Sequence, residues 1–179
     1  MSALKTIKKK FREMSLKKAL KKPIERGFIN YKDVNQVQIL FNRIDDTQAD
    51  IVSKFVHFLL DEGKSVEVLI YVDAKKMAPG FQNRKGIKYF CRKQLNWYGK
   101  PKEEVYTNFI SKQADLMVVV DFDNSFHSQW IATLSKAKTI VAPFSENNKW
   151  ATLLIESTKN NYNEYLQQLI HYLDIIKTK

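Results

Sequence analysis

Three apolar runs in this sequence stop at carboxylates. Val37–Phe41 leads into Asn42-Arg-Ile-Asp45-Asp46, Ser65–Val72 into Asp73, and Leu116–Val120 into Asp121-Phe-Asp123. If the runs are parallel strands, their ends share one rim, and acids gathered there can hold a hard cation through oxygen. The densest cluster is Asp121-Phe-Asp-Asn-Ser-Phe-His127. Asp121, Asp123, Asn124, Ser125 and His127 are therefore the candidate set for a phosphorylated ligand or a nucleotide sugar, and the D-x-D pair would admit Mg²⁺ as cofactor. A plainer reading stands beside it, in which these residues make a turn and Asp123, Asn124 or Ser125 caps the helix that follows.

Other chemistry is thinly represented. Cys91 and the three histidines fall in separate elements, with no nucleophile–base pair visible and no zinc-ligand spacing. His57 and His171 lie in amphipathic stretches, which predicts partly buried structural roles. Five glycines form neither a G-x-G-x-x-G nor a P-loop. No catalytic residue is assigned, and a binding protein fits better than an enzyme.

The stronger signal is charge. The net charge is +11, but residues 1–34 carry a net +8 and residues 74–102 a net +9, which leaves −6 for the remainder. Such segregation points to a polyanionic partner, RNA or a ribonucleoprotein first and an anionic membrane surface second. The candidate contacts are Lys8, Lys9, Lys10, Arg12, Lys17, Lys18, Lys21 and Lys22 in the first segment. In the second they are Arg84, Lys85, Lys88, Arg92 and Lys93, with Trp97 and Tyr98 as stacking aromatics. Tyr89 and Phe90 sit in a short apolar run and read as core. A module held in a larger protein assembly is a third reading.

The elements that must position these groups follow from periodicity. Asp115–Asp121 is an apolar, valine-rich run of the kind buried on both faces of a parallel sheet. Trp130, Ile131, Leu134 and Ala137 recur at helical spacing after it, and Thr139–Ala142 enters a further strand that Pro143 closes. Upstream, Val37–Phe41, a helix over Thr47–Asp61 with Gly63 at its C-terminal end, and Ser65–Tyr71 make a βαβ unit. Ile87–Cys91 suits a short strand, Lys102–Lys112 a helix, Trp150–Ile155 a last strand and Tyr162–Ile176 a terminal amphipathic helix. At the N-terminus, Leu4, Ile7, Phe11 and Met14 form one apolar stripe over residues 3–14. Leu16 and Leu20 fall off it, which predicts a break at Ser15 and a second short helix, Leu16–Lys22, ended by Pro23.

The sum is an α/β protein: a Rossmann-like, doubly wound, mostly parallel sheet of about five strands with helices on both faces. Residues 1–34 read as a basic helical extension and residues 35–179 as a single domain. No run approaches the ~20 apolar residues of a membrane span. One cysteine and no signal-like apolar N-terminus make a reducing cytoplasm the simplest setting.

Two stretches carry resemblances. Leu-Asn-Trp-Tyr-Gly-Lys-Pro, Leu95 to Pro101, and Ala-Thr-Leu-Ser-Lys-Ala-Lys, Ala132 to Lys138, resemble a family of small uncharacterised bacterial proteins with a Rossmann-like body. That resemblance implies the fold and no activity. Locally, Asp121, His127, Ala132 and Pro143 follow the outline of the donor-binding half of heptosyltransferase-type glycosyltransferases. There a strand ends in Asp, a corner leads to a His-bearing helix, and the next strand ends in Pro. Asn124-Ser125 stands where those proteins carry a glycine that lets backbone approach phosphate.

Overall fold

A computed structural model describes residues 3–21, 24–146, 148–158 and 160–177. In chain order the elements are α1 (Ala3–Leu20), β1 (Gln36–Arg43), α2 (Asp46–Asp61), β2 (Ser65–Val72) and β3 (Ile87–Cys91). They continue with α3 (Glu103–Ser111), β4 (Leu116–Val120), α4 (Phe126–Leu134), β5 (Thr139–Pro143), β6 (Leu153–Ile155) and α5 (Tyr162–Ile175). The strands form one six-stranded sheet in the order β3-β2-β1-β4-β5-β6, and every pairing is parallel. One strand more is present than the sequence count of about five.

Two-sided burial explains why the central strands are unbroken apolar runs. All five residues of β4 and of β5 are buried, as are six of the eight in β1. Successive side chains point to opposite faces. Ile39, Phe41, Val118 and Val120 pack with Phe55 and Leu59 of α2 and with Tyr165 and Leu169 of α5. Leu40, Met117 and Val119 pack with Phe109 of α3 and with Trp130 and Ile131 of α4. Local signals set the helix ends: Asp45 caps α2 by accepting from Gln48 N (2.9 Å), and Asn161 caps α5 by accepting from Glu164 N (3.2 Å).

Several expectations need correction. Ser15 does not break the N-terminal helix, because the stripe from Leu4 to Met14 is not the docking face. Arg12, Ser15, Leu16 and Ala19 turn inward instead, and Leu16 and Ala19 pack onto the α3–α4 side of the core. That line continues smoothly from one turn to the next, so α1 runs to Leu20. Lys22 and Pro23 lie outside the described residues. The last strand is only Leu153–Ile155, with Trp150 buried in the turn before it. His57 and His171 are exposed on their helices rather than partly buried.

The chain between α1 and β1 belongs to the body. Arg26 donates to the carbonyls of Ala137 (2.7 Å) and Ala132 (3.1 Å) where α4 ends. Gly27 N donates to Lys138 O (2.9 Å), and Ile29, Tyr31 and Val34 are buried. This strap ties the N-terminal segment across the α4–β5 connection, and α1 packs along α4 with Arg12 reaching the crevice at the sheet's C-terminal rim.

Candidate functional site: the crevice at the sheet reversal

In a doubly wound sheet the crevice opens where consecutive connections leave a strand in opposite directions. Here that point is between β1 and β4. A cavity of about 650 Å³ lies there, lined by Arg12 of α1, Asn42 and Arg43 at the end of β1, and Tyr71 and Asp73 at the end of β2. Leu95 and Gly99 close one side, and Asp123, Ser125, Phe126 and His127 bring in the start of α4.

The β4–α4 corner is organised by Asp121, which is 3% exposed. Its carboxylate accepts from Asp123 N (3.1 Å), Ser125 N (2.9 Å), Asn42 Nδ2 (3.2 Å) and Ser125 Oγ (3.4 Å). Both oxygens are thus occupied by the protein itself, and the corner is tied to β1. The turn closes with Asn124 in the left-handed region, φ +50°. Asparagine tolerates that conformation better than most residues, so it serves where a glycine is the usual solution. Asn124 Nδ2 points away, donating to Ser145 Oγ (2.9 Å). Of the five residues expected at this corner, Asp123, Ser125 and His127 line the cavity. Asp121 and Asn124 build the turn instead. Among the described residues no group of three or more His, Cys, Asp and Glu side chains is placed to hold a metal ion.

Ser125 occupies the N-cap position of α4, yet its side chain makes no cap bond. Its oxygen accepts from Asn42 Nδ2 (3.0 Å) and its hydroxyl faces Asp121. The first turn of α4, with the positive end of the helix dipole, therefore opens to the cavity without a side-chain cap. Two residues on, His127 is 6% exposed, and its Nε2 has no hydrogen-bond partner. Its ring lies 4.0 Å from that of Tyr71 and 5.7 Å, edge-on, from Phe90. Burial lowers its pKa to about 4, Arg12 nearby adds to that, and the carboxylates of Asp121 and Asp73 oppose it.

Arg12 reaches the cavity because its guanidinium is held. Nε donates to Tyr98 O (2.6 Å), and the group lies over the Phe126 ring with Cζ 5.4 Å from the centroid. Gly99 makes room for it: a Cβ there would come within 3.1 Å of Nη2, and φ is +93°. On the opposite wall the acids are partly neutralised. Arg92 forms a two-bond pair with Asp73, which holds that carboxyl below its usual range, and the Tyr71 hydroxyl donates to it as well (3.0 Å). Arg43 pairs with Asp46 and also covers the Phe81 ring at 4.7 Å.

The basic residues singled out from the sequence divide into groups. Lys9, Lys10, Lys17 and Lys18 are exposed along α1, Lys21 is exposed just after it, and Lys8 is half-buried. Phe11 sits 5.0 Å from Trp97 and 6.0 Å from Tyr98, so α1 and the Leu95–Pro101 loop form one continuous surface. Trp97 is exposed, whereas Tyr98 is wedged between Phe11 and Phe126. Arg92 and Lys93 follow the C-terminal end of β3 and Lys88 sits within it. Arg84 and Lys85 precede that strand, roughly 15 Å away at about 3.3 Å per residue. Phe90 is buried and Tyr89 is packed against Phe81, as a core reading requires. Sequence reasoning had named Arg12 and Asp73 for other roles and missed Asn42, Tyr71 and Gly99 altogether. A polar Asn directly after an apolar strand run was the one available signal.

Six parallel strands in this order, helices on both faces and a cavity at the reversal define a Rossmann-like α/β protein. Residues 8–176 match the model of a family of unknown function (DUF6913), and the chain belongs to that family. None of the curated proteins compared with it matches.

Proposed function

We propose that the crevice binds a small phosphorylated, hydroxyl-bearing ligand such as a sugar phosphate or nucleotide sugar. The observation that carries this reading is the convergence of three groups on one cavity. They are a held arginine (Arg12), the uncapped start of α4, and the unpartnered buried Nε2 of His127. Arginine and a helix N-terminus are complementary to phosphate. Asp123, which also lines the cavity, is an acceptor suited to sugar hydroxyls.

The test is thermal unfolding with a panel of inorganic phosphate, ribose 5-phosphate, UMP and UDP-glucose, with and without Mg²⁺. A ligand at a hundred times its Kd stabilises by about 2.7 kcal/mol, which raises Tm by roughly 5–10 °C for a chain of this size. Arg12→Gln and His127→Gln should remove most of that shift. A panel that leaves Tm unchanged, or a shift that survives both substitutions, refutes the reading.

A second reading rests on a different observation, the joining of the two basic segments through Phe11, Trp97 and Tyr98. An exposed indole among lysines suits single-stranded RNA, alone or in a ribonucleoprotein. It predicts affinity that falls steeply with salt and a loss of about 1–3 kcal/mol on Trp97→Ala.

A further inference from the structure

Helix α1 carries two separate working lines. Arg12, Leu16 and Ala19 face the body, while Leu4, Ile7, Phe11 and Met14 lie about a third of a turn around the helix at 100° per residue. The second line is exposed: 56% at Leu4, 46% at Ile7, 44% at Phe11 and 67% at Met14. Trp97, 51% exposed and in edge contact with Phe11, extends it onto the neighbouring loop. Five large apolar side chains thus form one uncovered strip. Around it, Ala3–Leu20 holds seven basic residues and one acid, Glu13.

We propose that this strip is a docking surface for an anionic lipid bilayer, on which α1 lies in the plane of the headgroups. The charge selects the partner: lysines on both flanks of the strip match a negative surface. The aliphatic residues then separate a bilayer from a nucleic acid. RNA engages cations and aromatic rings, and would leave Leu4, Ile7 and Met14 in water. A bilayer supplies hydrocarbon directly beneath its phosphates, at the ~5–10 Å depth to which interfacial helices sink their apolar face. An indole at the edge of the strip is suited to that boundary. The docking line is on another face, so a membrane-bound α1 keeps Arg12 in the crevice. The surface is therefore independent of the ligand reading, and it competes with RNA for the same helix.

The experiment is flotation of the full chain with phosphatidylcholine vesicles, with and without phosphatidylglycerol, at low and high salt. Fluorescence is read in parallel. Trp130 and Trp150 are buried, so a blue shift on binding reports Trp97. Binding is expected to the anionic vesicles only, to weaken with salt, and to fall about tenfold or more in Leu4→Gln/Ile7→Gln/Met14→Gln. These side chains are exposed, so the variant's unchanged melting temperature will certify its fold. Four results overturn the proposal. They are no binding to anionic vesicles; equal binding to neutral ones; adsorption lost in Lys10→Glu/Lys17→Glu but untouched in the apolar variant; and single-stranded RNA displacing the protein from vesicles while binding the apolar variant as tightly as the parent.

Discussion

His127 gives the sharpest physical prediction. Its imidazole is 6% exposed at the start of α4, packed on Tyr71 and Phe90, with Nε2 unpartnered. Burial penalises the charged form and lowers the pKa from 6.5 to about 4. In the unfolded chain the same group protonates near 6.5. Between those values the unfolded state takes up a proton that the folded state refuses, so stability is fully present above pH 6.5 and is lost as pH falls toward 4. The gap corresponds to about 3 kcal/mol, a large share of a typical folding free energy and worth roughly 6–12 °C in Tm at this chain length. Asp73, whose pKa is lowered by Arg92, also contributes stability that acid removes, but it is exposed and its loss comes below the usual carboxylate range. Comparing the parent with His127→Gln cancels that contribution. Urea unfolding of both, followed from neutral pH down to about pH 4, should show the parent losing more stability than the variant as pH falls, because only the parent carries the histidine's linkage. A phosphate-bearing ligand should bind the parent more tightly toward lower pH, since an adjacent anion favours the imidazolium. Parallel stability curves for the two proteins would refute the assignment of His127 as a buried neutral group.

Gly99→Ala should destabilise by about 1–2 kcal/mol from its positive φ alone. It should also release α1, because the new methyl meets Arg12 Nη2, and faster tryptic cleavage within residues 3–20 of the folded protein will check this. Asp121→Asn should cost about 2–3 kcal/mol in chemical unfolding, whether or not Mg²⁺ is added, because one of its oxygens becomes a donor facing either the Ser125 amide or the Asp123 amide and Asn42 Nδ2. A loss of stability seen only in the presence of Mg²⁺ would contradict the structural role assigned to it. Tyr165→Phe removes the buried bond from its hydroxyl to Val119 O (2.9 Å) and should lower stability by about 1 kcal/mol in the same assay.

Much of the fold was legible because the central strands announce themselves. A five-residue run such as Leu116–Val120, buried on both sides, has no polar position to obscure it, and the helices beside it repeat at their own period. Strand order was not legible. Nothing local to Val37–Phe41 says that β4, some eighty residues on, becomes its neighbour while β3 goes to the far edge. The N-terminal helix misled for a related reason. Periodicity finds apolar faces, but it does not say which face is inward, and here the cleaner stripe, Leu4 to Met14, is the one left in water.

The site shows the same division between residue type and residue role. Asp121-Phe-Asp123 was visible as chemistry, yet what Asp121 does depends on Asn42, seventy-nine positions earlier, and on two amides of its own turn. Once those take both carboxylate oxygens, the corner becomes a scaffold, and the groups free to meet a ligand are the ones it positions: Asp123, His127 and the first turn of α4. Arg12 enters from the other end of the chain, held by the Tyr98 carbonyl and the Phe126 ring and admitted by the absence of a side chain at Gly99. The glycine at position 99 meets a positive φ, and its missing side chain leaves room for a close visitor. Only the docking of α1 identifies that visitor as an arginine. The basic extension and the acidic strand ends, which composition separates into opposite camps, therefore meet in the same crevice.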